Sequence, residues 1–409
     1  MKLFYAIFSL LLGALFLFTG DSLFLNASNL FMEHSNVPRT IIGLVNAGYF
    51  FGAIISSVVG HRIISRVGHT RSFSFFAAVM ALSILSHTLT TELYIWALLR
   101  FTLGFGYYSI LMIIESWLNE KSDSSIRSRV LGLYETVFYI AFCIGALVLN
   151  FSDIFNQIYT FGGIFLILAI LPLSLTKMPA PKVPSPKKIS IPSVYGIAPL
   201  ALTGSLIGGF LANGFISMSP SYASSLGFDV HKTSIFITCS ILGGFLVQIP
   251  MGKFSDTYGR RLAIIVASSI TCLAAIYSVL FIDNTTAQYL SAVFFGFGAF
   301  TIYPLSLARA NDVLPEDSPN RLEVSRSTLF GYGLGALVSP LILGSSMQSF
   351  GSIGFEIPFI ILSAFLAVFS FYQPKIPREK RTQYTHVGPT STNSLISESS
   401  SKKIYDDCQ

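Results

Sequence analysis

Charge is what this sequence has least of. Lys, Arg, Asp and Glu make up 11% of its 409 residues, where a soluble globular chain carries roughly 25%. The chain is instead 52% hydrophobic, with a mean hydropathy of +0.65. Its apolar residues come in blocks rather than amphipathic stripes, which reads as an integral membrane protein. Cysteine is scarce too: Cys143, Cys239 and Cys272 lie inside apolar blocks and Cys408 in the polar C-terminal stretch, so no disulfide framework is expected. The usual signatures of chemistry are missing as well. There is no H-E-x-x-H, no G-x-S-x-G and no cluster of metal ligands. The one Gly-Lys pair, Gly252-Lys253, is followed by Phe254, which excludes a P-loop and an ATP drive. A membrane enzyme is therefore disfavoured, and neither cofactor nor metal is expected.

A spanning helix needs about 20 mostly apolar residues. Twelve blocks meet that rule: 4–31, 40–60, 72–91, 93–117, 129–152, 158–176, 194–220, 232–252, 262–282, 286–311, 326–349 and 354–373. The first, after Lys2, is too long for a signal-peptide core, so it is expected to stay as a helix.

The formal charge of +6 does not point to nucleic acid, because of where the charges lie. Of 26 Lys and Arg, 23 fall at the N-terminus, in the even-numbered connections or after Pro374. Arg39 and Lys232 lie on the other face and Arg100 inside a block, so both termini are expected in the cytoplasm.

The chain also repeats itself. RVGHTRS (66–72) follows block 2 as TYGRRLA (257–263) follows block 8, with Gly68 and Gly259 offset by 191. Gly104-Phe105-Gly106 in block 4 matches Gly296-Phe297-Gly298 in block 10, offset by 192. The expected organisation is a six-helix bundle over 1–176, a Pro- and Lys-rich cytoplasmic linker over 177–193 and a second bundle over 194–373. A polar, Ser-rich tail, 374–409, is expected to be disordered.

This pattern resembles the major facilitator superfamily, whose two six-helix halves rock around a central site. The family's loop motif G-x-x-x-D-x-x-G-R-R stands at Gly252, Asp256, Gly259, Arg260 and Arg261, and its R-x-x-x-G-x-G motif at Arg100, Gly104 and Gly106. The first-half copy of the loop is degenerate, with Ser65 at the Asp position and His61 at the first Gly. The Gly/Pro pattern of drug antiporters is absent from block 5, and a Gly/Pro pattern appears instead in block 11, GYGLGALVSPLILG (331–344). IIESWLNE (113–120) and YPLSLARAND (303–312) resemble a branch of small bacterial permeases. The resemblance implies an all-α integral membrane fold of twelve transmembrane helices in two pseudo-symmetric bundles. It further implies a monomer in a bacterial inner membrane that moves a small solute by alternating access.

Four ionisable residues inside blocks stand out: Asp21, Arg100, Glu115 and Glu135. A charge at mid-bilayer costs at least about 2.5–3.5 kcal/mol, so each needs a partner or a purpose. From the helical rise, Asp21 lies about 5 Å and Arg100 about 8 Å outward of the middle of their helices, so an Asp21–Arg100 pair is expected. Such a pair would load and release a proton, anchor an anionic substrate through Arg100, or simply fix helix packing. Glu115, about 22 Å further along the helix than Arg100, suits a gate or latch with Arg66, Arg71, Arg127 or Arg129. Glu135, with Tyr139 one turn on, would be a second proton site, a partner of Arg309 across the halves, or part of an ion pair within its own half. Tyr107, Tyr134, Asn213, Ser217, Gln248, Tyr303 and Tyr332 complete a set able to hydrogen-bond a polar solute. Pro250, Pro304 and Pro340 suggest bends for gating. Proton-coupled symport leads; proton-driven efflux of drugs or amphipathic cations, and a non-transporting sensor or scaffold, are the alternatives.

Overall fold

The computed structural model describes residues 2–121, 127–151, 157–175, 195–313, 321–378 and 381. The linker at 177–193 lies outside the described residues, as does the tail beyond 381. Helix is what a lipid-embedded chain must form, because it satisfies every backbone group within one segment. Among the described residues there are twelve long helices: α1 (Lys2–His34), α2 (Arg39–Val67), α3 (His69–Ser86), α4 (Leu93–Lys121), α5 (Arg127–Val148), α6 (Ile158–Ser174), α7 (Pro199–Ser225), α8 (Val230–Tyr258), α9 (Arg260–Leu280), α10 (Thr285–Val313), α11 (Arg321–Phe350) and α12 (Ile353–Phe371). Eleven are long and apolar enough to cross a membrane, while α6 is apolar but shorter. Most run past the apolar blocks, since hydropathy marks the lipid-buried part of a helix and not its polar ends. The prolines at 172, 220, 250, 304, 340 and 358 all sit inside continuous helices.

The repeat seen in the sequence has a structural meaning at both landmarks. Gly68 (φ 89°) and Gly259 (φ 99°) each separate two helices in a backbone conformation that L side chains rarely adopt. Each returns its N–H to the last turn behind it, to Ile64 O and Ser255 O. The other landmark is a pair of close approaches. A Cβ on Gly104 would collide with the Tyr49 carbonyl of α2, and one on Gly106 with Met80 of α3. In the second half Gly296 stands against the Ser240 carbonyl of α8, and Gly298 against Thr271 and the Ala267 carbonyl of α9. Gly-Phe-Gly thus docks the fourth helix of each half on its second and third. The helix pairs agree: α2–α4, α1–α6, α1–α5, α3–α4 and α3–α6 recur as α8–α10, α7–α12, α7–α11, α9–α10 and α9–α12.

The halves meet through α2–α11, α5–α8 and α1–α7, with α2–α11 the most extensive. At the end away from the termini, Gly43 packs on the Pro340 carbonyl and Gly344 on the Arg39 carbonyl. The Arg39 N–H donates to Gln348 Oε1 (2.8 Å) beside them. Deeper in, Asn29 Nδ2 donates to the Ser217 carbonyl (2.8 Å), and Asn46 Nδ2 to Asn29 Oδ1 (2.9 Å) and the same carbonyl (3.1 Å). That end, called distal below, is closed by backbone contact and a polar knot.

Closure that depends on a missing side chain is open to a direct test. Gly43→Leu is expected to hold the distal seam apart and shift the population toward a distal-open form. Cys143 of α5 and Cys239 of α8 lie in electrostatic reach of each other across the α5–α8 seam. Their labelling by a membrane-impermeant maleimide from the distal side should rise several-fold in the variant. Unchanged labelling would show that the seam does not govern opening.

Candidate functional site

Asp21 lies at the middle of α1 with none of its surface exposed (0%). The Tyr49 hydroxyl of α2 donates to its Oδ2 (3.0 Å), and its Oδ1 has no hydrogen-bond partner. Tyr49 is placed by the seam already described, because Gly104 leaves room for its backbone against α4. Rings complete the surround: Tyr49 to Tyr107 (5.9 Å between centroids), Tyr107 to Tyr108 (5.5 Å), and Phe18 to both Tyr107 and Tyr134 (5.9 Å each).

Arg100 is equally buried (0%), but the expected pair with Asp21 is not formed. Its Nη2 donates to Ser28 Oγ (2.5 Å), and its guanidinium stands over the Phe24 ring (4.8 Å). Ser28 lies seven residues beyond Asp21, about 10 Å along the helix. Counting rise places residues by depth alone; how α1 and α4 are rotated turns Asp21 toward α2 and Arg100 toward the distal half of α1. Arg100 Nε and Nη1 have no hydrogen-bond partner. The two complementary charges therefore share one buried region without neutralising each other directly.

The polar residues expected on other helices converge on this region. Gln248 Nε2 of α8 donates to the Tyr139 hydroxyl of α5 (2.9 Å), a bond between the halves. Tyr303 of α10 packs its ring on Tyr332 of α11 (4.3 Å). Tyr332 lies within electrostatic reach of Tyr108, Tyr139 and Tyr303 and faces Asn213, which donates to the Gly209 carbonyl (3.0 Å). Asn213 stands in α7 at the offset of 192 from Asp21, so the second half carries an amide where the first carries a carboxylate. Tyr107, Tyr139, Asn213, Gln248 and Tyr303 are thus drawn into one buried belt. Ser217 contributes its carbonyl to the polar knot instead.

The remaining acids occupy the part nearer the termini. Glu115 is buried (1%) within reach of Tyr134 and of Tyr303 across the halves. Arg66 and Arg71 are exposed and form no ion pair with it, while the side chains of Arg127 and Arg129 lie outside the described residues. Glu135 is half-buried beside Tyr134. Arg309 does not meet Glu135; its Nη2 donates to the Pro374 carbonyl (2.7 Å).

The loop motif forms a charged hub in the second half. Arg260, fully enclosed, donates to Ser255 Oγ (2.6 Å), to Asp256 Oδ1 (2.5 Å) and through Nε to Asp312 Oδ2 (3.3 Å). This ties α8, α9 and α10 together. Arg261 donates to the Gln373 carbonyl (2.6 Å) and Arg381 to the Thr257 carbonyl (3.1 Å). The start of the tail therefore lies against the hub, whereas Gly252 is simply buried in α8. Removing one partner of a buried ion pair leaves an uncompensated charge and costs about 3–5 kcal/mol. Arg260→Ala is expected to lower the melting temperature by several degrees, and the double variant Arg260→Ala/Asp312→Asn to recover part of it. A double variant no better than the single would argue against the pair.

Sequence reasoning missed Tyr49, Tyr108, Asp312 and Glu356. The last two carried a signal, being carboxylates at the end of block 10 and just inside block 12. The tyrosines carried none, since any of 18 was as eligible.

Two bundles with the same internal packing, closed at the distal end and enclosing a buried carboxylate and a belt of polar aromatics, have the architecture of a membrane transporter. The family model described as Major Facilitator Superfamily matches residues 10–322. The chain belongs to that superfamily and is a multi-pass membrane transporter. It is similar to the uncharacterized MFS-type transporter YcaD of Escherichia fergusonii, 24% identical with 92% of this chain and 98% of that protein covered. An uncharacterized MFS-type transporter of Yersinia pestis is 26% identical over the same shares. Among solved structures, the nucleoside transporter NupG superposes with a TM-score of 0.72 at 16% identity, covering 91% of this chain and 98% of that one. A bacterial homologue of the human lysosomal transporter Spinster, inward-facing and unoccupied, gives 0.73 at 13% identity, covering 93% and 98%.

Proposed function

We propose that the protein is a proton-coupled symporter of a small polar solute in a bacterial inner membrane, with Asp21 as the proton carrier. The observation that carries this reading is the carboxylate itself. It is buried at the centre of α1, held on one oxygen by Tyr49 and left open on the other. A site meant only to fix packing would neutralise that charge or satisfy both oxygens. The solute binds beside it, among Tyr107, Tyr139, Tyr303, Tyr332, Asn213 and Gln248. These groups supply ring faces and hydroxyl and amide hydrogen bonds, with no net charge of their own. The Asn213 amide at the matching position restricts proton loading to the first half.

With the termini in the cytoplasm, the closed distal end is the periplasmic gate, and Glu115 and Glu135 lie on the cytoplasmic side of the proton path. Arg100 biases the charge state of Asp21 at a distance rather than by contact. Efflux of an amphipathic cation is the second reading, supported by the pairing of an uncompensated carboxylate with tyrosine faces. Proteoliposomes separate the two: symport carries protons in the direction of the solute, and efflux coupling carries them against it. Absence of any solute-dependent proton movement would reject both.

A further inference from the structure

One buried carboxyl belongs to none of the sites above. Glu356 lies in the first turn of α12 at the distal end of the second half, 3% exposed. Tyr222 of α7, Ser278 of α9 and Gln288 of α10 converge on it. Ser278 Oγ is 2.7 Å from Glu356 Oε1, 2.8 Å from Gln288 Oε1 and 2.9 Å from the Tyr222 hydroxyl. The Tyr222 hydroxyl is 3.1 Å from Gln288 Oε1. The amide cannot be turned round, because Gln288 Nε2 donates to the carbonyls of Ser278 (2.8 Å) and Phe281 (3.2 Å).

Counting hydrogens decides the charge of this group. Four short oxygen–oxygen contacts are present, and the two hydroxyls bring only two hydrogens. With an ionised carboxylate, even if the Tyr222 hydrogen is shared between Ser278 Oγ and Gln288 Oε1, one contact is left lone pair against lone pair. A protonated carboxyl supplies a third hydrogen: it donates to Ser278 Oγ, Ser278 donates to Gln288 Oε1, and the Tyr222 hydrogen is shared between those two oxygens, so every contact has one. The surroundings agree. Tyr222 is the titratable group facing Glu356 from α7, α9, α10 and α11, while Cys272 of α9 lies further along against the Ile360 carbonyl. Among the described residues no Lys, Arg or His forms an ion pair with it. An unpaired buried carboxylate is strongly disfavoured.

We infer that Glu356 is a proton-binding site separate from Asp21, a neutral carboxylic acid that ties α7, α9, α10 and α12 together at the distal end. Loss of its proton breaks that tie and loosens the second half there. The sign of the pH effect follows. The folded chain keeps a proton that the unfolded chain releases, so stability falls as pH rises above the ordinary carboxylate range.

The test uses the purified full chain. Infrared spectroscopy at neutral pH should show a protonated-carboxyl band in the wild type and in Asp21→Asn that is missing from the double variant Asp21→Asn/Glu356→Gln. The melting temperature should fall with rising pH in Asp21→Asn and lose that fall in the double variant, where the added amide mimics the neutral acid. A band that survives in the double variant, or an undiminished alkaline loss there, would overturn the inference. Should that variant fail to fold, Ser278→Ala keeps the acid and removes its acceptor; it must shift the band and move the alkaline loss to lower pH. An unmoved band and profile in Ser278→Ala would equally overturn it.

Discussion

Asp21→Asn should abolish uphill accumulation of the solute while leaving downhill exchange in place. One elementary charge crossing a potential of 100 mV is worth about 2.3 kcal/mol, or roughly 50-fold accumulation of a neutral solute moved with one proton. An amide has the shape of the carboxylate but carries no exchangeable charge, so the expected accumulation ratio collapses toward unity. Counterflow, which needs only binding and rocking, should persist. Tyr49→Phe removes the one hydrogen bond to the carboxyl and is expected to shift the pH dependence of uptake without abolishing it. Accumulation and counterflow measured side by side in proteoliposomes decide the matter. Wild-type accumulation in Asp21→Asn would remove this residue from coupling, and loss of both activities would make it a structural or substrate-binding group.

Gly104→Val is expected to be the most damaging substitution outside the charged residues. Any Cβ at this position meets the Tyr49 carbonyl of α2, a backbone atom that cannot step aside. Overpacking of this kind costs typically 1–3 kcal/mol, and more when backbone must move. Across the same seam Gly48 faces the Ala97 carbonyl and Gly52 the Phe101 carbonyl, so α4 cannot escape by sliding. Displacing α2 also carries the Tyr49 hydroxyl away from Asp21, which joins stability to function. The variant should therefore melt several degrees lower and lose coupled transport together. Gly132→Ala, where a Cβ meets nothing within 4 Å, is the matched control and should behave as the wild type. A Gly104→Val protein with unchanged melting and uptake would refute the packing argument.

Much of this architecture was legible in the chain because a bilayer simplifies the physics. Apolar blocks of fixed length must become helices, and the Gly68 and Gly259 offset marks the boundary between equivalent helices in each half. The Gly-Phe-Gly pair was legible as a repeat, though not as two docking seams, since the partner atoms are backbone carbonyls on helices distant in sequence. Asp21 stood out because burying a charge is costly wherever it is read. Partnership was beyond reach: Arg260 finds Asp312, 52 residues on, and Arg100 finds Ser28 instead of Asp21.

The sequence by itself determined the membrane, the helices, the twofold repeat and the presence of a mid-membrane carboxylate, because these follow from hydropathy, length and desolvation. Only the tertiary structure decided which groups touch. Rise along a helix sets depth to within a turn, while rotation and crossing set contact. Those come from the summed packing of every neighbouring helix, so Asp21 belongs to Tyr49 and Glu356 to a cage drawn from three other helices.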